Sequence, residues 1–261
     1  MSPCAVRLDT HVHLYEQYSV KRWCEAIVRN FRLGPESIGV VIVVDRAGQD
    51  SFARLRMEVP SFGTWNESLV RGQEAADSLV AEVRMNGTTF FVVRGVQYVS
   101  AEGIEVLGWG AHRNAPDGAS AAELIQLVLW DGGVACLPWS PGKWLGRRGQ
   151  VVSTLIHSSS TEAVVFGDIS IRTRIGPPSL LLRRARRAGF TVLSGTDPLP
   201  RMGDETLVGS YGVEFSVSQR PQAEEAWGLV KSVLLNKSIM LRAWGGPSSP
   251  CKAVLRFITT F

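Results

Sequence analysis

Two stretches of the chain carry side chains that can do chemistry together. The first is Asp9-Thr10-His11-Val12-His13. In an extended chain successive side chains alternate between faces, so His11 and His13 point to one side. Two imidazoles at one strand end can then reach a single cation. The second is Leu193-Ser194-Gly195-Thr196-Asp197-Pro198-Leu199-Pro200, an apolar run closed by glycine, a hydroxyl residue and a carboxylate. Asp197 can complete a metal site begun by the two histidines, or serve as a base toward water there. Each motif has a plainer reading as well: a surface or packing pair of histidines, and an Asx-turn made by Asp197 before Pro198. The joint presence of both motifs favours the site.

Other polar residues fall at the ends of apolar runs. Asp45-Arg46 closes the run 39–44, and Gly167-Asp168-Ile169-Ser170-Ile171-Arg172 follows another. The planar guanidinium fork suits phosphate or carboxylate, so Arg46 and Arg172 are candidates to hold an anionic substrate group, with ordinary ion pairs as the alternative. His112 follows a predicted hairpin, and His157 ends a helical segment, where a cation suits the helix dipole. The run Arg183-Arg184-x-Arg186-Arg187 lies beside Leu180, Leu181, Ala185 and Ala188. On a helix this reads as an apolar inner face and a solvated arginine outer face, and nucleic-acid binding is not expected of it.

The elements that must position these groups alternate. Strands are expected at 5–8 and 39–44, with a helix between them built on Val20, Trp23, Ile27 and Phe31 and stopped by Gly34-Pro35. The run 39–44 is apolar throughout, as in a parallel strand buried on both faces. The middle differs, with successive strands at 79–83, 88–93 and 104–107. Asn86-Gly87 is a hairpin turn signal, and Glu102-Gly103 makes a second turn. Alternation then resumes, with helices at 121–130, 150–157, 179–188 and 223–235 and strands at 133–137, 163–166 and 190–193. This pattern predicts an α/β fold with an inserted antiparallel hairpin.

These residues, in this order, resemble the polymerase and histidinol phosphatase (PHP) superfamily of metal-dependent phosphoesterases. Asp9-x-His11-x-His13 is similar to its opening motif. Val44-Asp45-Arg46 lies where the family has Thr-Asp-His. Gly95-Val96-Gln97, followed by Glu102-Gly103-Ile104-Glu105-Val106-Leu107-Gly108, resembles Gly-x-Glu and the hairpin behind it. Ala135-Cys136-Leu137-Pro138 resembles a segment ending in Ala-His-Pro, and Gly195-Thr196-Asp197-Pro198-Leu199 resembles Gly-Ser-Asp-x-His. The resemblance implies a distorted (β/α)7 TIM-like barrel of about seven core strands with sites at their C-terminal ends. It implies metal ligation by His11, His13, Asp197 and Asp45, with Gln97 able to offer a carbonyl oxygen, and makes Asp197 and Asp45 the candidate catalytic carboxylates. The departures are Arg46, Gln97, Leu137 and Leu199, each standing where the family has a ligand. They imply one divalent ion (Zn, Mn or Fe), or none, in place of the family's three.

Composition sets the outer bounds. The chain has 261 residues, 45% hydrophobic and 20% charged, and a net charge of +4. These values exclude a disordered chain and suit one domain over residues 1–261. No apolar stretch approaches the ~18 residues of a membrane span. The four cysteines, Cys4, Cys24, Cys136 and Cys251, form no CxxC pair. Such spacing suits reduced thiols and a cytoplasmic setting. The expectation is therefore a cytoplasmic, divalent-metal-dependent hydrolase of a small anionic substrate, in the first place a phosphate ester. A PHP-like binding or regulatory module without catalysis, and a mononuclear amidohydrolase, are the alternatives.

Overall fold

The computed structural model describes residues 3–68, 79–111, 114–140, 142–161, 164–170, 179–236 and 238–246. Arg172 and His112 lie outside them. The chain opens with strand β1 (Cys4–Val12), helix α1 (Val20–Asn30), strand β2 (Ser37–Asp45) and helix α2 (Ser51–Glu58). Strands β3 (Thr64–Ser68), β4 (Val80–Met85), β5 (Thr88–Val99) and β6 (Glu105–Trp109) follow. Then come α3 (Ala121–Trp130), β7 (Val134–Trp139), α4 (Arg147–Ser158), β8 (Val164–Ile169), α5 (Leu180–Arg187) and β9 (Val192–Gly195). Strand β10 (Tyr211–Val217), helix α6 (Ala223–Leu235) and strand β11 (Arg242–Gly245) complete it.

The strands form one mixed sheet in the order β11-β10-β1-β2-β5-β6-β7-β8-β9, with β4 and β3 branching from β5. β1, β2 and β5 are parallel, β6 is antiparallel to both neighbours, and β7, β8 and β9 run parallel again. The sheet curls until β9 meets β1, giving a nearly closed barrel of α/β type. At that seam Thr10 Oγ1 donates to Ser194 O at 3.0 Å, and Asp197 N donates to His11 O at 2.8 Å.

Two strands serve two neighbours along one edge. The lower half of β1 pairs with β10 from Cys4 to Leu8, and its upper end meets β9. β5 pairs with β4 over Thr88–Val93 and with β6 over Gly95–Val99. The β4–β5 hairpin turns on Asn86 and Gly87, both at positive φ (48° and 73°), as a two-residue type I′ turn requires. The expected hairpins are therefore present, but β5 is longer than the 88–93 read from sequence.

Alternation along the strands sorts the core into layers. Leu8, Val40, Ile42, Phe91, Val93, Leu107, Cys136, Val165 and Leu193 face inward, into one cluster with Ala226, Trp227, Val230 and Val233 of α6. A Cβ on Gly110, beyond the lower end of β6, would lie 2.4 Å from the Trp227 ring, so α6 plugs the barrel at the end away from the histidines. Outside, α1 and α2 cover Val41, Val43, Phe90 and Val92, while α3, α4 and α5 cover Tyr98, Ala135, Leu137, Val164 and Phe166. On α5, Leu182 and Ala185 are buried and Arg183, Arg184, Arg186 and Arg187 are exposed, the solvated face expected of that run. Among the described residues no helix is long and apolar enough to cross a membrane.

The β9–β1 seam needs glycine at 195. A Cβ there would lie 2.7 Å from His11 N and 2.8 Å from His11 Cβ. Gly195→Ala is expected to lower stability by about 1–3 kcal/mol, because overpacking a backbone contact forces the two strands apart. Urea unfolding of the two proteins measures this, and a change under about 0.5 kcal/mol would show that the seam opens freely.

Candidate metal centre

The inward faces of β1 would be Cys4, Val6 and Leu8, which by simple alternation leaves His11 and His13 facing outward. A register shift prevents this. Asp9 pairs with Val41 of β2, but Val12 pairs with Val43, so three steps on β1 match two on β2. The extra residue is a bulge, and one added residue turns every later side chain to the opposite face. His11 and His13 thus enter the barrel interior, 3% and 1% exposed.

The bulge is held by Asp9, a fully buried carboxylate. It accepts from Thr196 N at 2.9 Å, Thr196 Oγ1, Gly209 N at 2.9 Å and His11 N at 3.3 Å. Burial pushes this carboxyl up to about 7, against the pull of those four hydrogen bonds. The same bonds place the residue after Thr196. Asp197 sits at φ 44°, a left-handed conformation that aspartate tolerates better than most residues.

The three donor atoms that result lie close together. His11 Nε2 is 3.2 Å from His13 Nε2, and Asp197 Oδ1 is 3.5 Å from the first and 3.6 Å from the second. Donors on one face of a tetrahedron around a cation with bonds of ~2.0–2.1 Å are roughly 3.3–3.4 Å apart. His11, His13 and Asp197 therefore form a group that can hold one metal ion. His13 Nδ1 faces Val44 O at 2.9 Å, which puts the proton on Nδ1 and leaves the Nε2 lone pair for a metal. His11 Nδ1 is buried without a hydrogen-bond partner among the described residues, as is Gln97 Oε1. Gln97 also acts on His11, favouring its protonated form against the larger effect of burial.

Charge around the triad is mixed. Burial pulls His11 down to about 4 and His13 to about 3, so both imidazoles are neutral at pH 7, the form that ligates. Glu105, Lys143 and Arg46 act on His11 through space, and Glu105 accepts from Lys143. The Tyr15 ring lies 5.1 Å from that of His13, and Arg46 stacks over Tyr15 while its Nη2 donates to the phenol oxygen at 3.1 Å. A cleft of about 830 Å³ is lined by Asp45, Arg46, Arg94, Gln97, Glu105 and Asp117 among others; the triad does not line it, but Arg46, Gln97 and Glu105, which act on His11, do. Asp197, 15% exposed at its side chain, is the most accessible of the three.

Several expectations change here. Asp45 is not brought to the triad. On β2, Ile42 and Val44 face inward and Val43 outward, so Asp45 follows Val43. Its carboxylate accepts from Ser51 N at 3.0 Å and from Ser51 Oγ, at the start of α2. Leu137 is not a vacated ligand position. Cys136 faces inward, and Leu137 packs outward with Trp144 and Phe166. Leu199 is half-buried in the loop after Asp197, its carbonyl taking the Tyr18 hydroxyl and its N–H donating to Asp204. Asp168 accepts from the Tyr211 hydroxyl, and His157 faces Ser153 O at the end of α4. Sequence reasoning missed Tyr15 and Lys143 and quoted Glu105 only as part of a hairpin. For Tyr15 the signal was present, two residues beyond His13 in the same run.

No family model matches the chain, and no curated protein does. Among solved structures it is similar to PsfC from Pseudomonas syringae PB-5123, with a TM-score of 0.56 and 14% identity over 99% of this chain and 98% of PsfC. The likeness is one of fold.

Acid should weaken the metal-free fold. The unfolded chain protonates both histidines near 6.5, while the folded chain resists until about 4 and about 3. Asp9 opposes this, because the folded state holds its proton below about 7 and the unfolded state only below 3.8. The unfolded state then binds about one proton more between pH 6.5 and 4, so stability falls by ~1.4 kcal/mol per unit as pH drops. Replacing both histidines by Gln leaves Asp9 alone and should reverse the slope. Urea midpoints across this range test it, and identical slopes for the two proteins would refute it.

Proposed function

We propose that the protein is a hydrolase that uses one divalent cation, Zn, Mn or Fe, to cleave a phosphate ester. The observation that carries this reading is the triangle of His11, His13 and Asp197 donor atoms at the C-terminal ends of β1 and β9, where parallel barrels build their sites. The resemblance to the PHP superfamily in the order of these motifs supports it. When bound, the cation supplies Lewis-acid polarisation of an oxygen and acidifies water.

The chain's own residues supply the rest. His11 and His13 are held neutral and oriented by burial and by the Val44 carbonyl. Asp197, the triad member nearest solvent, takes a proton from the attacking water. Arg46, which lines the cleft and acts on both histidines through space, holds the anionic group of the substrate through its guanidinium fork. A neutral Gln97 and an Asp45 committed to Ser51 give a second cation no carboxylate bridge, so the centre is mononuclear and lacks the clamp of a two-metal site.

Protein purified without chelator or affinity-tag metal is expected to hold one divalent ion per chain. His11→Ala, His13→Ala and Asp197→Ala should each lower that ratio while the chain stays folded. Hydrolysis of p-nitrophenyl phosphate should be slow, below about 10 s⁻¹, and should vanish with the metal. Unchanged metal content in all three variants would remove the centre. A full metal complement with no turnover across phosphate esters would favour a binding or regulatory module.

A further inference from the structure

We infer that Tyr15 is a second ligand-binding group of this centre, paired with Arg46 to donate hydrogen bonds to an anionic oxygen of whatever sits at the triad. The inference rests on the reading of His11, His13 and Asp197 as a metal site that takes an anionic ligand. Tyr15 is 5% exposed and belongs to the segment that leaves β1, two residues past His13. Its ring lies 5.1 Å from the His13 ring, tilted by 32°. Arg54 donates to the Tyr15 carbonyl at 2.7 Å and to the Tyr18 carbonyl at 2.6 Å, so the backbone of this turn is fixed from α2. The Tyr15 and Tyr18 rings meet edge to face at 5.3 Å, which fixes the side chain as well.

The hydrogen-bond arithmetic of the phenol points outward. The Tyr15 oxygen accepts from Arg46 Nη2 at 3.1 Å. Arginine cannot accept, so the phenol's own proton must go elsewhere. Among the described residues no acceptor takes it. A buried hydroxyl proton normally finds an acceptor, and a charged donor on its oxygen strengthens the bond it can give. The Arg46 guanidinium, 5.2 Å above the Tyr15 ring, borders the cleft and keeps further N–H groups for the same ligand. Tyr15 and Arg46 thus form a positive-edged donor pair beside two neutral imidazoles and one carboxylate. An oxyanion of the phosphate class fits it: several oxygens, one for the cation and others for these donors. No proton transfer is required, since the neutral phenol acts as donor alone.

The probe is inorganic phosphate, titrated into zinc-loaded protein by calorimetry. Tyr15→Phe keeps the ring and removes only the hydroxyl. It is expected to leave the zinc affinity and melting temperature close to wild type and to weaken phosphate binding at least tenfold, as for a lost hydrogen bond to a charged group. Arg46→Lys should weaken phosphate by a similar factor. The double variant should lose less than the product of the two, because the groups act as a unit. Equal phosphate affinity in wild type and Tyr15→Phe, with zinc bound in both, overturns the role of Tyr15 and leaves the metal reading standing. Zinc-loaded wild type that takes no phosphate at millimolar concentration overturns the anionic-ligand reading and the Tyr15 inference together. If Tyr15→Phe does not fold, Arg46→Lys decides: unchanged phosphate affinity there removes the donor pair.

Discussion

Everything at this centre depends on the buried carboxylate of Asp9. A polar group taken out of water is costly unless its lone pairs are filled. Here four donors fill them, two from Thr196, one from Gly209 and one from His11. Those donors come from β1 itself, from the end of β9 and from the approach to β10. One side chain therefore ties together the three segments that meet at the barrel's closure. It also stabilises the bulge that turns both histidines inward and places Asp197, itself left-handed, beside them.

The sheet has a matching economy. β1 and β5 each divide one edge between two partners, with the lower half given to a flanking strand and the upper half to the barrel. This lets β10 and β4 extend the sheet below while β9 and β6 close it above. The inner apolar layer and α6 fill the lower barrel, and the buried His11, His13 and Gln97 lie at its upper end. There the alternation of each strand decides membership. Gln97, Arg46 and Asp45 all border the cleft, but the Asp45 carboxylate is taken up by Ser51 at the start of α2 and does not join the triad.

Much of this was legible in the chain. Apolar periodicity located α1, α3 and α6, and Asn86-Gly87 located the hairpin. The histidine pair and Asp197 stood out because few residue types bind metals and these followed apolar runs. What escaped was of another kind. α2 has only three buried positions, Ser51, Phe52 and Leu55, too few for a periodic signal. β10 and β11 are flanking strands recognised by their partners more than by their own composition. The bulge was invisible as well: simple alternation sends the histidines and Leu8 to opposite faces, so the same-side argument for His11 and His13 held while saying nothing of which side. Motif matching put Asp45 in the site and Leu137 at a position where the family has a ligand, and strand parity turns both away from the triad, because a motif carries order along the chain and not the face of the sheet.

The seam between β1 and β9 joins residues far apart in the chain: Asp9 and Thr196 are separated by 187 positions. Closing so long a loop is among the slower events in folding, since its entropy must be met before any contact is gained. The histidines consequently have no carboxylate partner until most of the polypeptide has been laid down and wrapped. A nascent or half-folded chain exposes two imidazoles on a loose strand, which hold a cation far more weakly than three converging donors do. The three donors converge only once the barrel has closed, so a cation taken up here would follow assembly of the fold instead of guiding it.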